Sequence, residues 1–231
     1  MRTFTFRLKT VPPTLKAGFD AVHLDHASRF GMGKGALALT FVEETRLGPD
    51  ALESAADRDG VTVRFGSRSA AFRALGRLLA ATTRADLTFS ESSGFSMRGL
   101  MMDCSRNGVI RPDAAQAFMR RAALMGINMV MFYTEDTYEV PDAPFFGYLR
   151  GGFTMSEMKA LDDYADALGI ELIPCIQTLG HLEQTLQWPP HFKYRDTSNV
   201  ILTGEEETYA LLRRMIKAAS GCVRSRRIHL G

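Results

Sequence analysis

From residue 98 onward, short apolar runs alternate with segments whose apolar residues recur at helical spacing, and this alternation predicts parallel βα units. The first run, RGLMMD over 98–103, leads to Pro112, which suits a first helical turn because its missing N–H would have no partner there. Ala115, Phe118, Ala122 and Met125 then share one predicted face, closed by Gly126. The second run, INMVMFY over 127–133, is apolar throughout, as expected of a strand covered on both sides. Thr154 and Glu157 have capping-box spacing ahead of a helix predicted to bury Met158, Leu161, Ala165 and Leu168 before Gly169. The third run is IELIPCIQ over 170–177, where Pro174 cannot donate to a ladder and is expected near an irregular strand end. The spacing of Thr203 and Glu206 predicts another capping box. The helix behind it would bury Tyr209, Leu212, Ile216 and Ala219, with acids at 205–207 ahead of Arg213, Arg214 and Lys217 in the order that suits the helix dipole. The run 227–230 starts a fourth strand.

The first ninety or so residues have a different texture. Strand-like pieces at 4–8, 36–42 and 61–65 are broken by Gly, Pro and Asp, and a helix is predicted over 70–81, with Phe72, Leu75, Leu78 and Leu79 on one face and Ser67 or Ser69 as its cap. The polar stretch 90–94 reads as a junction, giving an α/β accessory domain over 1–94 and a second domain over 95–231. In that second domain, four strands joined by three helices match the opening half of a (β/α)8 barrel, which needs about 250 residues to close. An open doubly wound sheet would normally cover its last strand with a further helix, and none follows 227–230. The expected fold class is therefore α/β: a small N-terminal α/β accessory domain, then the first half of a TIM barrel truncated at strand four.

Composition narrows the partners. Of 231 residues 45% are hydrophobic and 23% charged, which excludes a disordered or collagen-like chain, and a net charge of +2 gives no field that favours nucleic acid. No apolar run approaches the roughly 18 residues of a membrane span, and charges interrupt the MRTFTFRLKT start where a secretion signal would be apolar. A cytoplasmic location without membrane contact is expected. Cys104, Cys175 and Cys222 are isolated and odd in number, in keeping with reduced core thiols.

In parallel barrels the chemistry sits on the loops after the strands, so polar residues at strand ends are the candidates. Arg98 and Asp103 bracket the first strand, Glu135 and Asp136 end the second, and Thr178, Gly180, His181 and Glu183 follow the third. Arginine can clamp sugar hydroxyls or a carboxylate with its planar fork, and a carboxylate beside a histidine fixes the imidazole tautomer. Each has a plainer reading: Arg98 can bridge domains, and Asp103, ahead of Ser105 and Asn107, can simply form a turn. Trp188, Phe192 and Tyr194 can stack on a sugar or pin a loop. His181 and Glu183 with a strand-end Asp would suit a metal-dependent barrel hydrolase or isomerase, and a half barrel could also be a non-catalytic module whose open edge after 227–230 pairs with a second copy or another chain to close its sheet. Gly31, Gly33 and Gly35 around Lys34 fail the phosphate-loop pattern.

Taken in order, RGLMMDCSRN, MGINMVMFYTEDTYE, ELIPCIQTLGHLEQ and RIHLG resemble glycoside hydrolase family 20, the β-N-acetylhexosaminidases, most closely their bacterial cytoplasmic branch. The GVTVRFGSRSAAFRALGRLLA segment also resembles the α/β domain that precedes this family's barrel. The resemblance implies a retaining exo-acting enzyme in which the acetamido oxygen of the substrate attacks the anomeric carbon. It implies that Arg98 holds hydroxyls of the terminal sugar, and that Glu135 and Asp136 are the paired acids, one of them partnering His181. The family's Asp–Glu pair after strand four, which orients the acetamido group and donates the proton, falls beyond Gly231, so this stretch is expected to be silent on its own. The implied partner is an oligosaccharide or glycoconjugate ending in N-acetylglucosamine or N-acetylgalactosamine, with no cofactor or metal.

Overall fold

The computed structural model describes residues 3–106 and 108–231, and the turn expectation for Asn107 lies outside them. The chain divides into two compact units, one of Met1–Gly99, Gln116–Met129 and Tyr164–Ile170, the other of Leu100–Ala115, Val130–Asp163 and Glu171–Gly231.

The first unit is built on a mixed five-stranded sheet in the order β1-β2-β4-β3-β5, comprising β1 (Phe6–Thr10), β2 (Leu37–Glu43), β3 (Ala51–Ala56), β4 (Gly60–Phe65) and β5 (Phe89–Ser92). β1, β2 and β4 are parallel, and β3 runs antiparallel to both β4 and β5. Helices α1 (Pro13–His26) and α2 (Arg68–Ala80) supply its apolar layer. Phe19 of α1 meets Phe41 edge to face at 4.9 Å and Phe72 of α2 at 5.8 Å, a geometry that suits the ring quadrupoles. The expected helix is present, and of its two candidate caps Ser67 is the one used, accepting from the Ala70 amide. Bidentate pairing of Arg120 with Asp25 at 2.7 and 2.8 Å, with a third bond to the Tyr164 hydroxyl, satisfies a guanidinium that is almost fully buried.

The remaining strands, β6 (Gly99–Asp103), β7 (Met129–Glu135) and β8 (Glu171–Ile176), form a parallel sheet in that order, and the helices between them are α3 (Pro112–Leu124) and α4 (Met155–Ala167). A short helix α5 (Glu183–Leu186) and the longer α6 (Glu206–Gly221) follow. Pro112 opens α3 as expected. The capping box of α4 is reciprocal, since Glu157 accepts from the Thr154 amide at 2.8 Å while its own amide donates to Thr154 Oγ1 at 3.1 Å. Tyr138, Phe146, Ile176, Leu186, Leu211, Met215 and Ala219 are among the side chains of the second unit's apolar cluster.

Four local expectations change. Met125 is 64% exposed, and the buried apolar positions of α3 are Ala115, Met119, Ala122 and Ala123. Glu205 occupies the N-cap of α6 without a side-chain cap bond, so the box from Thr203 does not form. The buried face of α6 is Thr208, Leu211, Met215, Ala218 and Ala219, while Tyr209 is 42% exposed. The helix has turned about one position from the face predicted. Pro174 lies inside β8, and the 227–230 run meets β8 only at an isolated parallel bridge between Cys175 and His229. There His229 donates to Pro174 O at 2.9 Å and accepts from Ile176 at 3.0 Å. The preceding rung of a parallel ladder would need an amide proton on residue 174, and proline has none.

Close helix approach in the first unit depends on glycine. A Cβ on Gly76 of α2 would fall inside van der Waals contact of the Leu124 carbonyl, a backbone group that cannot swing aside. Gly76→Ala should therefore lower stability by about 1–3 kcal/mol in urea unfolding, although alanine is the better helix former by about 1 kcal/mol. Gly221→Ala, whose Cβ meets nothing within 4 Å, is the control and should be near neutral.

Candidate active site

β7 ends on two carboxylates. Its final residue, Glu135, has φ 47°, in the left-handed region, which costs a side chain of this type about 1–3 kcal/mol and persists only where neighbours impose it. Thr137 helps to impose it: its amide donates to Thr134 O at 2.7 Å, and its hydroxyl lies 2.8 Å from the same oxygen and 3.1 Å from Cys104 O. The turn delivers both acids into buried positions, with Glu135 5% and Asp136 2% exposed. Non-glycine residues with positive φ among those described are Glu135, Asp142, Leu149 and His181, every one of them in the second unit at or beyond the end of β7.

The two acids have different partners. Glu135 Oε1 accepts from the Tyr133 hydroxyl at 2.8 Å and lies 3.5 Å from Arg106 Nη2, on the loop after β6. Arg106 is also 5.3 Å over the Tyr133 ring and pairs with Asp103 Oδ2 at 3.1 Å. Asp103 does form the turn, since its Oδ1 accepts from the Ser105 amide and hydroxyl and from the Arg106 amide. Asp136 receives Arg150 Nη1 at 2.6 Å on one oxygen and the Thr185 hydroxyl at 3.3 Å on the other. Thr185 O in turn accepts from His191 Nδ1 at 3.0 Å. Burial holds the His191 imidazole below its ordinary value, so this ring is neutral and donates through Nδ1.

Burial pushes the Asp136 carboxyl above its ordinary value, against the opposing pull of Arg150. The Tyr133 phenol is pushed up to about 12, first by burial and then by its bond to Glu135. Asp103 moves the other way: burial is the largest influence and raises it, but the donors from Ser105 and Arg106 together outweigh it and hold the carboxyl low.

Of the residues singled out from sequence, Glu135 and Asp136 come together as a buried pair, and His181 does not join them. It is exposed, at φ 56°, and among the described residues it makes no hydrogen bond to either acid. Asp136 finds Arg150 and Thr185 instead. Arg98 is committed within the first unit: its Nη1 pairs with Asp50 at 2.7 Å and with Phe95 O, and its Nε donates to Gly126 O at 2.8 Å. The arginine that meets Glu135 is Arg106, eight residues further on in the same RGLMMDCSR motif, and its place directly after the Asp103 turn was the available signal. Trp188 packs edge to face on Tyr148 at 5.0 Å and Tyr194 is buried, so both pin loops, while Phe192 is half exposed beneath Arg195. Among the described residues no group of three His, Cys, Asp or Glu side chains is placed to hold a metal ion, and the three cysteines are free and buried. No described helix is long and apolar enough to cross a membrane.

No family model and no curated protein matches the chain. Solved structures do. A GH20 exo-β-N-acetylglucosaminidase from Vibrio harveyi, solved with N-acetylglucosamine, aligns over 99% of this chain and 43% of its own, with TM-score 0.80 and 17% identity. The GH20 β-N-acetylhexosaminidase of Streptomyces coelicolor aligns over 98% and 55% respectively, at TM-score 0.79 and 16% identity. The Flavobacterium johnsoniae chitobiase aligns over 99% and 41%, at 0.78 and 19%. The fold is thus shared with GH20 β-N-acetylhexosaminidases, and the chain spans about half the length of these structures.

The Tyr133–Glu135 bond is directly measurable. In a tyrosine carbon NMR titration to pH 11, Tyr133 should remain protonated, whereas in Glu135→Gln, which removes the carboxylate that holds the phenolic proton, it should begin to ionise in that range. An unchanged Tyr133 titration in the variant would mean that the bond does not form in solution.

Proposed function

We propose that the chain is the leading portion of a retaining exo-β-N-acetylhexosaminidase that removes terminal N-acetylglucosamine or N-acetylgalactosamine from oligosaccharides or glycoconjugates. Residues 1–94 form its accessory α/β domain, and 95–231 form strands one to four of a (β/α)8 barrel, in a cytoplasmic protein. The observation that carries this reading is the convergence of Glu135, Asp136 and Arg106 at the ends of β7 and β6, on a fold shared with hexosaminidases.

Arg106 is the group with reach, and Glu135 is the buried carboxylate it faces. Arg106 is 55% exposed and hydrogen-bonds through a planar fork, so it can hold two adjacent sugar hydroxyls while Glu135 accepts from one of them. We assign hydroxyl binding to Arg106 in place of Arg98, whose guanidinium already has its partners. Asp136 backs Glu135 from its buried position. Bond cleavage by this scheme needs an acetamido-orienting aspartate and a general acid, which the scheme places after strand four.

The reading is tested by titrating the 231-residue chain with N-acetylglucosamine and following backbone amides by NMR. Perturbations centred on Arg106, Glu135, Asp136 and His181, weakened at least tenfold in Arg106→Ala, are expected; none at these positions would overturn it. The same chain should not measurably turn over an aryl N-acetylglucosaminide, because general acid catalysis alone is worth about 10²–10⁴-fold.

We further propose that the chain self-associates through β6, whose outward residues include Met101 at 52% exposure on a strand with one neighbour. Sedimentation should show a concentration-dependent dimer, reduced by Met101→Lys; a monomer at all concentrations would remove the proposal.

A further inference from the structure

Arg150 lies on the loop after β7 and touches two elements at once. One arm donates to Asp136 Oδ1 at 2.6 Å and the other to the backbone carbonyl of Ser105, on the loop after β6. The side chain is 19% exposed and its carboxylate partner 2%, so the pair is shielded from competing water. Delivery of the guanidinium to this point relies on unusual backbone. Leu149 has φ 61° and Gly147 has φ 66°, and a Cβ on Gly147 would collide with the Asp136 carbonyl. A side chain placed through two left-handed residues, one of them not glycine, holds a costly conformation that its contacts must offset.

Ser105 precedes Arg106, the arginine that faces Glu135, and Asp136 follows Glu135. The fork of Arg150 therefore grips the neighbour of each member of that pair. We propose that Arg150 is a positioning residue: by tying Ser105 to Asp136 it sets the spacing between the Arg106 guanidinium and the Glu135 carboxylate, and so the width of the sugar-binding gap. The role of that gap rests on the function proposed above; the tie itself does not. Only a planar fork can meet both acceptors, since a lysine ammonium placed on the Asp136 carboxylate has no second arm with which to reach the Ser105 carbonyl.

The charged groups facing Asp136 are Arg150 and Glu135, with the Tyr138 phenol buried beside it. The test is a carboxyl-carbon NMR titration of Asp136 in the chain, with amide shifts recorded for the loop after β6. In Arg150→Met the Asp136 midpoint should rise by about 1–3 pH units as the opposite charge is lost, and the Ser105 and Arg106 amides should shift. In Arg150→Lys the midpoint should return to within about half a unit of the wild type, while the two amides stay displaced. An Asp136 midpoint unmoved in Arg150→Met would overturn the proposal, as would Ser105 and Arg106 amides unmoved in either variant. Should Arg150→Met fail to fold, the lysine variant decides alone: displaced amides at a preserved midpoint support the tie, and wild-type amides refute it. No sugar is present, so the outcome is independent of the N-acetylglucosamine titration.

Discussion

A carboxylate buried to 2% exposure at the end of a parallel strand is the constraint around which the second unit is arranged. An unpaired charge in that position would be lost by protonation or would cost several kcal/mol. Asp136 is kept by three loops: the one after β7 returns Arg150 to it, the one after β8 brings Thr185, and the one after β6 is drawn in through Ser105 O. The neutral His191 behind Thr185 extends this support without adding charge. Burial still leaves Asp136 above its ordinary value. Over the range between that ordinary value and the raised one, the folded state binds more protons than the unfolded state. This carboxyl therefore makes stability fall as pH rises through that window.

Backbone strain gathers in the loops that carry the polar residues. Glu135, Leu149 and His181 adopt left-handed backbone without being glycine, and each stands beside or within the loops that carry the polar residues. Such conformations concentrate where a side chain must be aimed rather than packed. The first unit shows the opposite economy, with glycine wherever helices crowd backbone and phenylalanine filling the space above the sheet.

Much of this was legible in the residues. The β7 run, the Pro112 start, the Thr154–Glu157 box and the face of Met158, Leu161, Ala165 and Leu168 follow from local rules that tertiary structure left intact. β3 was not legible, because ALESAA has helix-favouring composition and becomes a strand only through pairing with β4 and β5 on either side. The α6 face was misjudged by one position because its partners come from distant loops, including Tyr138, Phe146 and Leu186. At the candidate site the acids were visible as a pair after an apolar strand. Their partners were not, since Arg150 and Thr185 stand 14 and 49 residues from Asp136 and only the return of two loops brings them close. Arg98 is the charge that precedes the first strand, whereas the charge after the strand, Arg106, is the one the turn aims at Glu135.

Pro174 has a mechanical consequence. Because it withholds one rung, the backbone of residues 227–230 meets β8 through the two bonds at His229, and side chains supply further ties: Arg227 pairs with Glu171, and the Thr178 hydroxyl donates to Leu230 O at 2.8 Å. A ribbon held by one backbone rung and by side-chain ties can detach without breaking the ladder of the strands beside it. Attachment of this segment is thus a separate equilibrium with its own, smaller free energy, which any additional strand laid against its far side would pull toward closure.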